Sequence, residues 1–228
     1  MKRILIISAH PDDEILGCGG LISKYSNSAS IRVVFIAEGS SCRFEKLDSN
    51  KVDIEKEIKR RNNFGIKALD NLNINSFYFY NLPCGRLDQI PLIEINKIIE
   101  KEIFTFKPDA VFTHSENDTN NDHNIIYRST LIATRPGSKF LVQSLFSYEV
   151  LSSSEWNFSK CFEPNFFIGI TQNDIENKIN AMLEYKTEIG EYPYPRSKEG
   201  ILTLAKFRGI QSNNKYAEAF KVIRIINK

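Results

Sequence analysis

Histidine is scarce in this chain of 228 residues: there are three, at positions 10, 114 and 123. Any imidazole chemistry must therefore run through those positions. Cys18, Cys42, Cys84 and Cys161 are the only cysteines, widely scattered and with no CxxC pair. That spacing argues against a disulfide framework and a Cys-rich zinc module, and it fits a reduced, cytoplasmic setting. Neither charge sign dominates. Lys plus Arg number 30 against 28 Asp plus Glu, a net charge of +2, so no nucleic-acid partner is expected. The densest basic cluster, Lys56, Lys59, Arg60 and Arg61, alternates with Glu55 and Glu57 and reads as a solvated helix face. No apolar run is long enough to span a membrane. The run after Met1-Lys2-Arg3 is too short for a signal peptide and breaks into a proline and three acids. Repeats, low-complexity tracts and composition shifts are absent, so one domain over 1–228 is expected, with enough apolar residues for a substantial core.

What is present is concentrated in the first twenty residues. Ile4-Leu5-Ile6-Ile7 is a short apolar run typical of a buried strand. It delivers His10-Pro11-Asp12-Asp13-Glu14 to a turn, and Ile15 to Ile22 reads as the start of a helix. In open α/β sheets ligands bind at the carboxyl ends of the strands, where this turn lies. Pro11 fixes its own φ and pushes His10 towards an extended conformation. Taken alone, Asp12 reads as a helix cap. A cap does not account for a histidine at the strand end or for two adjacent aspartates. Gly17, Gly19 and Gly20 follow no G-x-G-x-x-G pattern and read as helix packing, so no residue is assigned to an organic cofactor.

Alternating patterns continue down the chain. Strands are predicted at 2–8, 31–37, 77–80, 110–113, 144–150 and 219–226, and helices at 14–26, 50–72, 91–106, 122–134, 173–189 and 197–208. This alternation predicts an α/β class: a single Rossmann-like domain, a mainly parallel sheet with helices on both faces, and a site at the strand carboxyl ends. The most polar stretch, Ser115 to His123, follows the fourth strand and its terminal His114. A parallel sheet brings all its strand carboxyl ends to one edge, so His10, His114 and His123 can converge there with Asp13, Asp118 and Asp122. His, Asp and His make a three-ligand zinc site with a fourth position for water. A second carboxylate beside the metal can take the proton of that water, which suits metal-assisted hydrolysis.

Two motifs carry a family resemblance: Ala9-His10-Pro11-Asp12-Asp13-Glu14, with Gly17 and Gly19-Gly20 after it, and Asp118-Thr119-Asn120-Asn121-Asp122-His123. At these residues the chain resembles the PIG-L/LmbE family of metal-dependent N-acetylglucosamine de-N-acetylases, over nearly its full length. The tail is similar to the branch found in bacterial surface-polysaccharide loci, through Tyr148 to Trp156, Phe162 to Phe166, Pro195-Arg196-Ser197, Arg208-Gly209 and Ala217 to Phe220. The resemblance implies a Rossmann-like fold, Zn²⁺ (or another divalent metal such as Fe²⁺) on His10, Asp13 and His123, and Asp12 as general base. It implies hydrolysis of the acetamide of an amino sugar to acetate and a free amine. The chain departs from the pattern at Asn120, where several members have His, and at Tyr194, where the branch commonly has His. Asn120 can donate a hydrogen bond to the oxyanion but cannot carry a proton. His114, protonated Asp12 and Tyr194 are the candidates for the proton donor to the amine.

In the tail, Trp156, Phe166, Phe167 and Phe220 read as core rather than sugar platform. Arg196 and Arg208 read as ion-paired supports, with sugar-phosphate contact the alternative; Arg196 and Tyr194 are the candidate substrate-binding residues. Glu14 reads as a residue that orients the loop. The expected substrate is an acetamido sugar, free or linked to a nucleotide or lipid. The alternatives are another mononuclear metal-dependent hydrolase, or a binding module of this fold with weakened catalysis. A homo-oligomer is compatible with all of them.

Overall fold

A computed structural model describes residues 1–45 and 51–227. In chain order its elements are β1 (Arg3–Ser8), α1 (Asp13–Tyr25), β2 (Ser30–Ala37), α2 (Lys51–Asn71), β3 (Phe77–Leu82), α3 (Leu92–Phe106), β4 (Ala110–His114), α4 (Asn121–Ala133), β5 (Ser144–Tyr148), β6 (Phe166–Ile170), α5 (Gln172–Glu184), α6 (Lys198–Gln211) and β7 (Tyr216–Ile225). The strands form one sheet in the order β3-β2-β1-β4-β5-β7-β6. Among the described residues only β7 runs against its neighbours, and the mainly parallel α/β sheet expected from the sequence is present. Residue 50, the expected first residue of α2, lies outside the described residues.

Strand periodicity of two sorts the central residues between two cores. Ile4 and Ile6 of β1 pack on one face with α1, α2, α5 and α6; Leu5 and Ile7 pack on the other with α3 and α4. β2 repeats the split, with Val33 and Phe35 on the first face and Val34 and Ile36 on the second. Each such buried side chain contributes about 1.5–3 kcal/mol. Helix α1 lies close on the sheet because Gly17 has no side chain: a Cβ there would meet the Tyr148 ring at 2.2 Å. The packing reading of that glycine is correct.

Several expectations change: α6 runs on to Gln211 rather than 208, and β7 begins at Tyr216 rather than 219. Helix α5 ends at Glu184, five residues before the expected 189. Strand β6 has no counterpart in the sequence reading. Its five residues, Phe166 to Ile170, make a short apolar run interrupted by Gly169, with only Ile168 and Ile170 buried, which is a weak strand signal. β6 is an edge strand, fixed by pairing with β7.

The chain leaves β1 towards β2 on one side, while β4 enters on the other. The switch point of the sheet therefore lies between the carboxyl ends of β1 and β4. The loops after these strands begin at Ala9 and Ser115.

Candidate metal centre

The turn after β1 has an unusual backbone. Asp12 has φ 134° and ψ −28°, outside the regions an L residue ordinarily occupies. Such a residue costs about 1–3 kcal/mol and persists only where its surroundings hold it. Here they do. Asp12 N–H donates to Glu14 Oε2 at 3.0 Å, and Asp12 C=O accepts from Ile15 and Leu16 N–H. Glu14 is itself held by the Tyr185 hydroxyl at 2.5 Å. Burial pushes Glu14 up to about 8. The cap reading of Asp12 fails: its side chain makes no capping hydrogen bond to α1.

Asp13, the first residue of α1, points into a group of imidazoles. Its Oδ2 lies 3.3 Å from His10 Nδ1, 3.3 Å from His123 Nε2 and 3.5 Å from His114 Nε2, and it also accepts the His10 backbone N–H at 2.8 Å. All four residues are buried. His10 enters from the end of β1, His114 from the end of β4, and His123 from the first turn of α4. The structure thus brings together the three histidines and Asp13 from three segments distant in sequence.

Two further aspartates brace the rings from behind. His10 Nε2 lies 2.9 Å from Asp122 Oδ2, and His123 Nδ1 lies 3.2 Å from Asp118 Oδ1. Asp122 is fixed in turn by Gly85 N–H at 2.6 Å and Leu87 N–H at 3.2 Å. Asp118 is fixed by the hydroxyls of Ser153 and Ser154. A carboxylate on the far nitrogen is the usual way to orient a metal-binding imidazole. Burial lowers both histidines, but their aspartates overcome it, raising His10 to about 9 and His123 to about 10. Burial raises Asp13 and Asp118, but the imidazoles prevail: Asp13 falls well below its usual range and Asp118 to about 2.

His114 differs. Its Nε2 accepts the Ala9 N–H at 2.8 Å, so that nitrogen carries no proton. Burial and the neighbouring His123 hold it well below the ordinary histidine range. It ties the exit of β1 to the end of β4.

One nitrogen each from His10 and His123 and one oxygen of Asp13 lie within 4.8 Å of one another. Both buried ring nitrogens of His123 lack a hydrogen bond among the described residues, and Nε2 is the one that lies 3.3 Å from Asp13. Two imidazoles and a carboxylate, with a donor atom left unsatisfied, fit a zinc ion. His10, Cys84 and Asp122 form a second group at similar spacing, but there the His10 nitrogen is already hydrogen-bonded to Asp122.

Asp12 lies among guanidinium groups. Its Oδ2 lies 2.6 Å from Arg196 and 3.1 Å from Arg61. Glu188 sits behind and pairs with Arg61, Arg43 and Arg196. Burial raises Asp12 despite both arginines. Its Oδ1 is buried and has no hydrogen-bond partner among the described residues. The solvated-face reading holds for Lys56, Lys59 and Arg60, which are exposed, and fails at Arg61, which is 4% exposed and donates to Pro11 C=O at 2.7 Å. The signal was available, since Arg61 shares the inward stripe of α2 with Ile54, Gly65 and Ala68. Glu188 carried no such signal, because it follows the end of α5. A cavity of about 150 Å³ adjoins this cluster, lined by Ser40, Arg43, Arg61, Phe64 and Thr187 among others.

Asn120 caps α4, its Oδ1 accepting Asp122 N–H at 2.9 Å; its Nδ2 makes no hydrogen bond among the described residues. Tyr194 is 40% exposed. Arg208 is the expected support, paired with Glu149 at 2.5 Å. Phe220 is core as expected, whereas Trp156 is 49% exposed and is not.

Among curated proteins, none matches in sequence. Among solved structures, the chain is similar to N,N'-diacetylchitobiose deacetylase from Pyrococcus horikoshii, at 19% identity and TM-score 0.76, covering 97% of this chain and 84% of that one. It is similar to the A40926 pseudoaglycone deacetylase Dbv21, at 21% identity and TM-score 0.76, over 100% and 99% of the chains. It is also similar to a hydratase, the 4-carboxy-2-hydroxymuconate hydratase GalB from Pseudomonas putida, at 20% identity and TM-score 0.75, over 100% and 99%. At such identities these likenesses speak for the fold. The family model PIG-L, GlcNAc-PI de-N-acetylase, matches residues 5–134, a stretch that runs from within β1 to the end of α4 and holds every histidine, and the chain belongs to that family.

Proposed function

We propose that this chain is a zinc-dependent N-deacetylase that removes acetyl from an N-acetylated amino sugar, free or linked to a nucleotide or lipid, in the cytoplasm. The whole chain, 1–228, acts as one deacetylase domain. The observation that carries the reading is the division of labour at one turn: Asp13 lies among imidazoles while Asp12 lies among guanidiniums. Family membership and the deacetylases of the same fold support it.

His10, Asp13 and His123 would hold the zinc, which supplies Lewis acidity towards a water and the acetyl carbonyl. Asp12 takes the proton from the attacking water. Arg61 and Arg196 hold that carboxylate in place, and it stays outside the ligand set. Asn120 Nδ2 is the available donor for the acetyl oxygen as charge builds there. Asp12 then returns the proton to the leaving nitrogen as the C–N bond breaks. His114 is assigned to positioning, because its Nε2 already accepts from Ala9. Tyr194 and Arg196 are assigned to the substrate side.

Acetate release from a panel of acetamido sugars and their nucleotide-linked forms, with and without chelator, tests the reading. Chelator-sensitive acetate release supports it. A hydratase shares the fold, so the product matters: metal-dependent turnover that releases no acetate from any amide overturns the reading.

A further inference from the structure

Cys42 and Cys84 are 42 residues apart in sequence, yet their sulfurs lie 3.2 Å apart. The parallel sheet explains the meeting. Cys42 follows β2 and Cys84 follows β3, neighbouring strands whose carboxyl ends share one edge. The backbone is shaped for the contact: Gly85 has φ +69°, and a Cβ there would meet Cys42 Cβ at 3.1 Å. Both cysteines are free thiols; Cys42 is exposed and Cys84 is buried.

We infer that Cys42 and Cys84 form a reversible disulfide that reports oxidation to the neighbouring metal centre. A disulfide needs sulfurs about 2.05 Å apart, so closure requires a movement of about 1 Å. Exposed Cys42 meets the oxidant first. Its thiol is pulled down to about 6 chiefly by the hydrogen bond from Cys84, and the thiolate is the reactive form. Hydrogen peroxide converts the Cys42 thiol to sulfenic acid and water. The Cys84 sulfur then attacks Cys42 sulfur, the S–O bond breaks, and the hydroxyl leaves with the Cys84 proton as a second water. The two thiols are oxidised and one peroxide is reduced. A thiol reductant such as dithiothreitol reverses the step by exchange.

The link to the metal centre is short. Cys84 Sγ lies within 4.8 Å of ligand atoms of His10 and Asp122. Its neighbour Gly85 donates to Asp122 Oδ2, the oxygen that also holds His10 Nε2. Drawing Cys84 towards Cys42 moves the donor that fixes Asp122, and Asp122 orients His10. Loss of such a support costs typically 10–100-fold in metal affinity.

The effect on zinc rests on the metal site proposed above, whereas the disulfide does not. The test treats zinc-loaded full chain with hydrogen peroxide, alkylates the remaining thiols and maps the peptides. Zinc affinity is measured in parallel by competition with a chelating dye, before oxidation, after it, and after dithiothreitol. The expected result is a Cys42–Cys84 cross-linked peptide with zinc affinity about 10–100-fold weaker, both reversed by dithiothreitol. C42S should bind zinc as the reduced protein does and show no response to peroxide. Alkylation of both residues after peroxide, or over-oxidation of Cys42 without a cross-link, would overturn the inference. So would a cross-link that leaves zinc affinity unchanged. A chain that binds no zinc in either redox state would overturn the metal site and with it the switch, while the peptide map still judges the disulfide.

Discussion

Asp13 Oδ2 lies within 3.5 Å of a nitrogen from each of three histidines, while Asp12 Oδ2 lies 3.1 Å or less from two arginines. The two carboxylates are adjacent in the chain and equally buried. They differ in the kind of cation around them. Imidazoles can give up their protons to a metal, so Asp13 sits where a metal can replace those protons. Guanidiniums never give up theirs, so Asp12 keeps two fixed positive neighbours whether or not a metal is bound. Asp12 holds φ 134° and does not cap the helix that Asp13 begins.

Breaking the imidazole side should have the larger effect. Asp13→Ala removes a ligand and leaves His10 and His123 with no shared carboxylate. Zinc retained through gel filtration should fall to background, and acetate release with it. Metal analysis that still finds zinc at the wild-type level would remove Asp13 from the ligand set.

Next comes the guanidinium side. Asp12→Asn keeps the shape and the strained turn but cannot take a proton. Zinc content should be unchanged and kcat should fall about 10²–10⁴-fold, the range for loss of a general base. If zinc is lost instead, the two aspartates have exchanged roles and the comparison is inverted.

Smaller again are the residues behind the imidazoles. Asp118→Asn and Asp122→Asn should each weaken zinc about 10–100-fold, measured by chelator competition, with turnover at saturating zinc little changed. An effect of either on turnover alone, with zinc affinity intact, would place that aspartate on the substrate side.

Only part of this comparison was legible in the sequence. The imidazole side was, because its residues lie at strand ends and in one short polar loop, and a parallel sheet must gather those ends. The guanidinium side was not. Arg61 sat within a run of mixed charge that mimics a solvated face, and only its register with Ile54 and Gly65 marked it as inward. Arg196 was noticed as a support or sugar contact, but its partner Asp12 is 184 residues away. The cysteine pair was hidden for the same reason, since spacing rules read local pairs and this contact crosses two strands. In the fold, the central strands were read correctly because their apolar runs are buried on both faces. The edge strand β6 was missed because its order comes from pairing with β7 rather than from its own pattern.

A finer division concerns Asn120, whose two side-chain atoms are given separate jobs. Its Oδ1 caps α4, the helix that carries His123 and Asp122, while its Nδ2 is the donor proposed for the acetyl oxygen. Asn120→Ala removes both, and Asn120→Asp keeps the cap while removing the donor. Loss of the cap costs about 1 kcal/mol, so Asn120→Ala should lower the denaturant midpoint and Asn120→Asp should not. If Nδ2 stabilises the oxyanion, both variants lose kcat by a similar factor, up to about 10²–10³-fold, the cost of removing one such donor. If the residue is a cap alone, Asn120→Asp keeps the activity and only Asn120→Ala changes, through stability. Parallel loss of kcat in two variants of different stability is therefore the result that would assign Asn120 to the reaction.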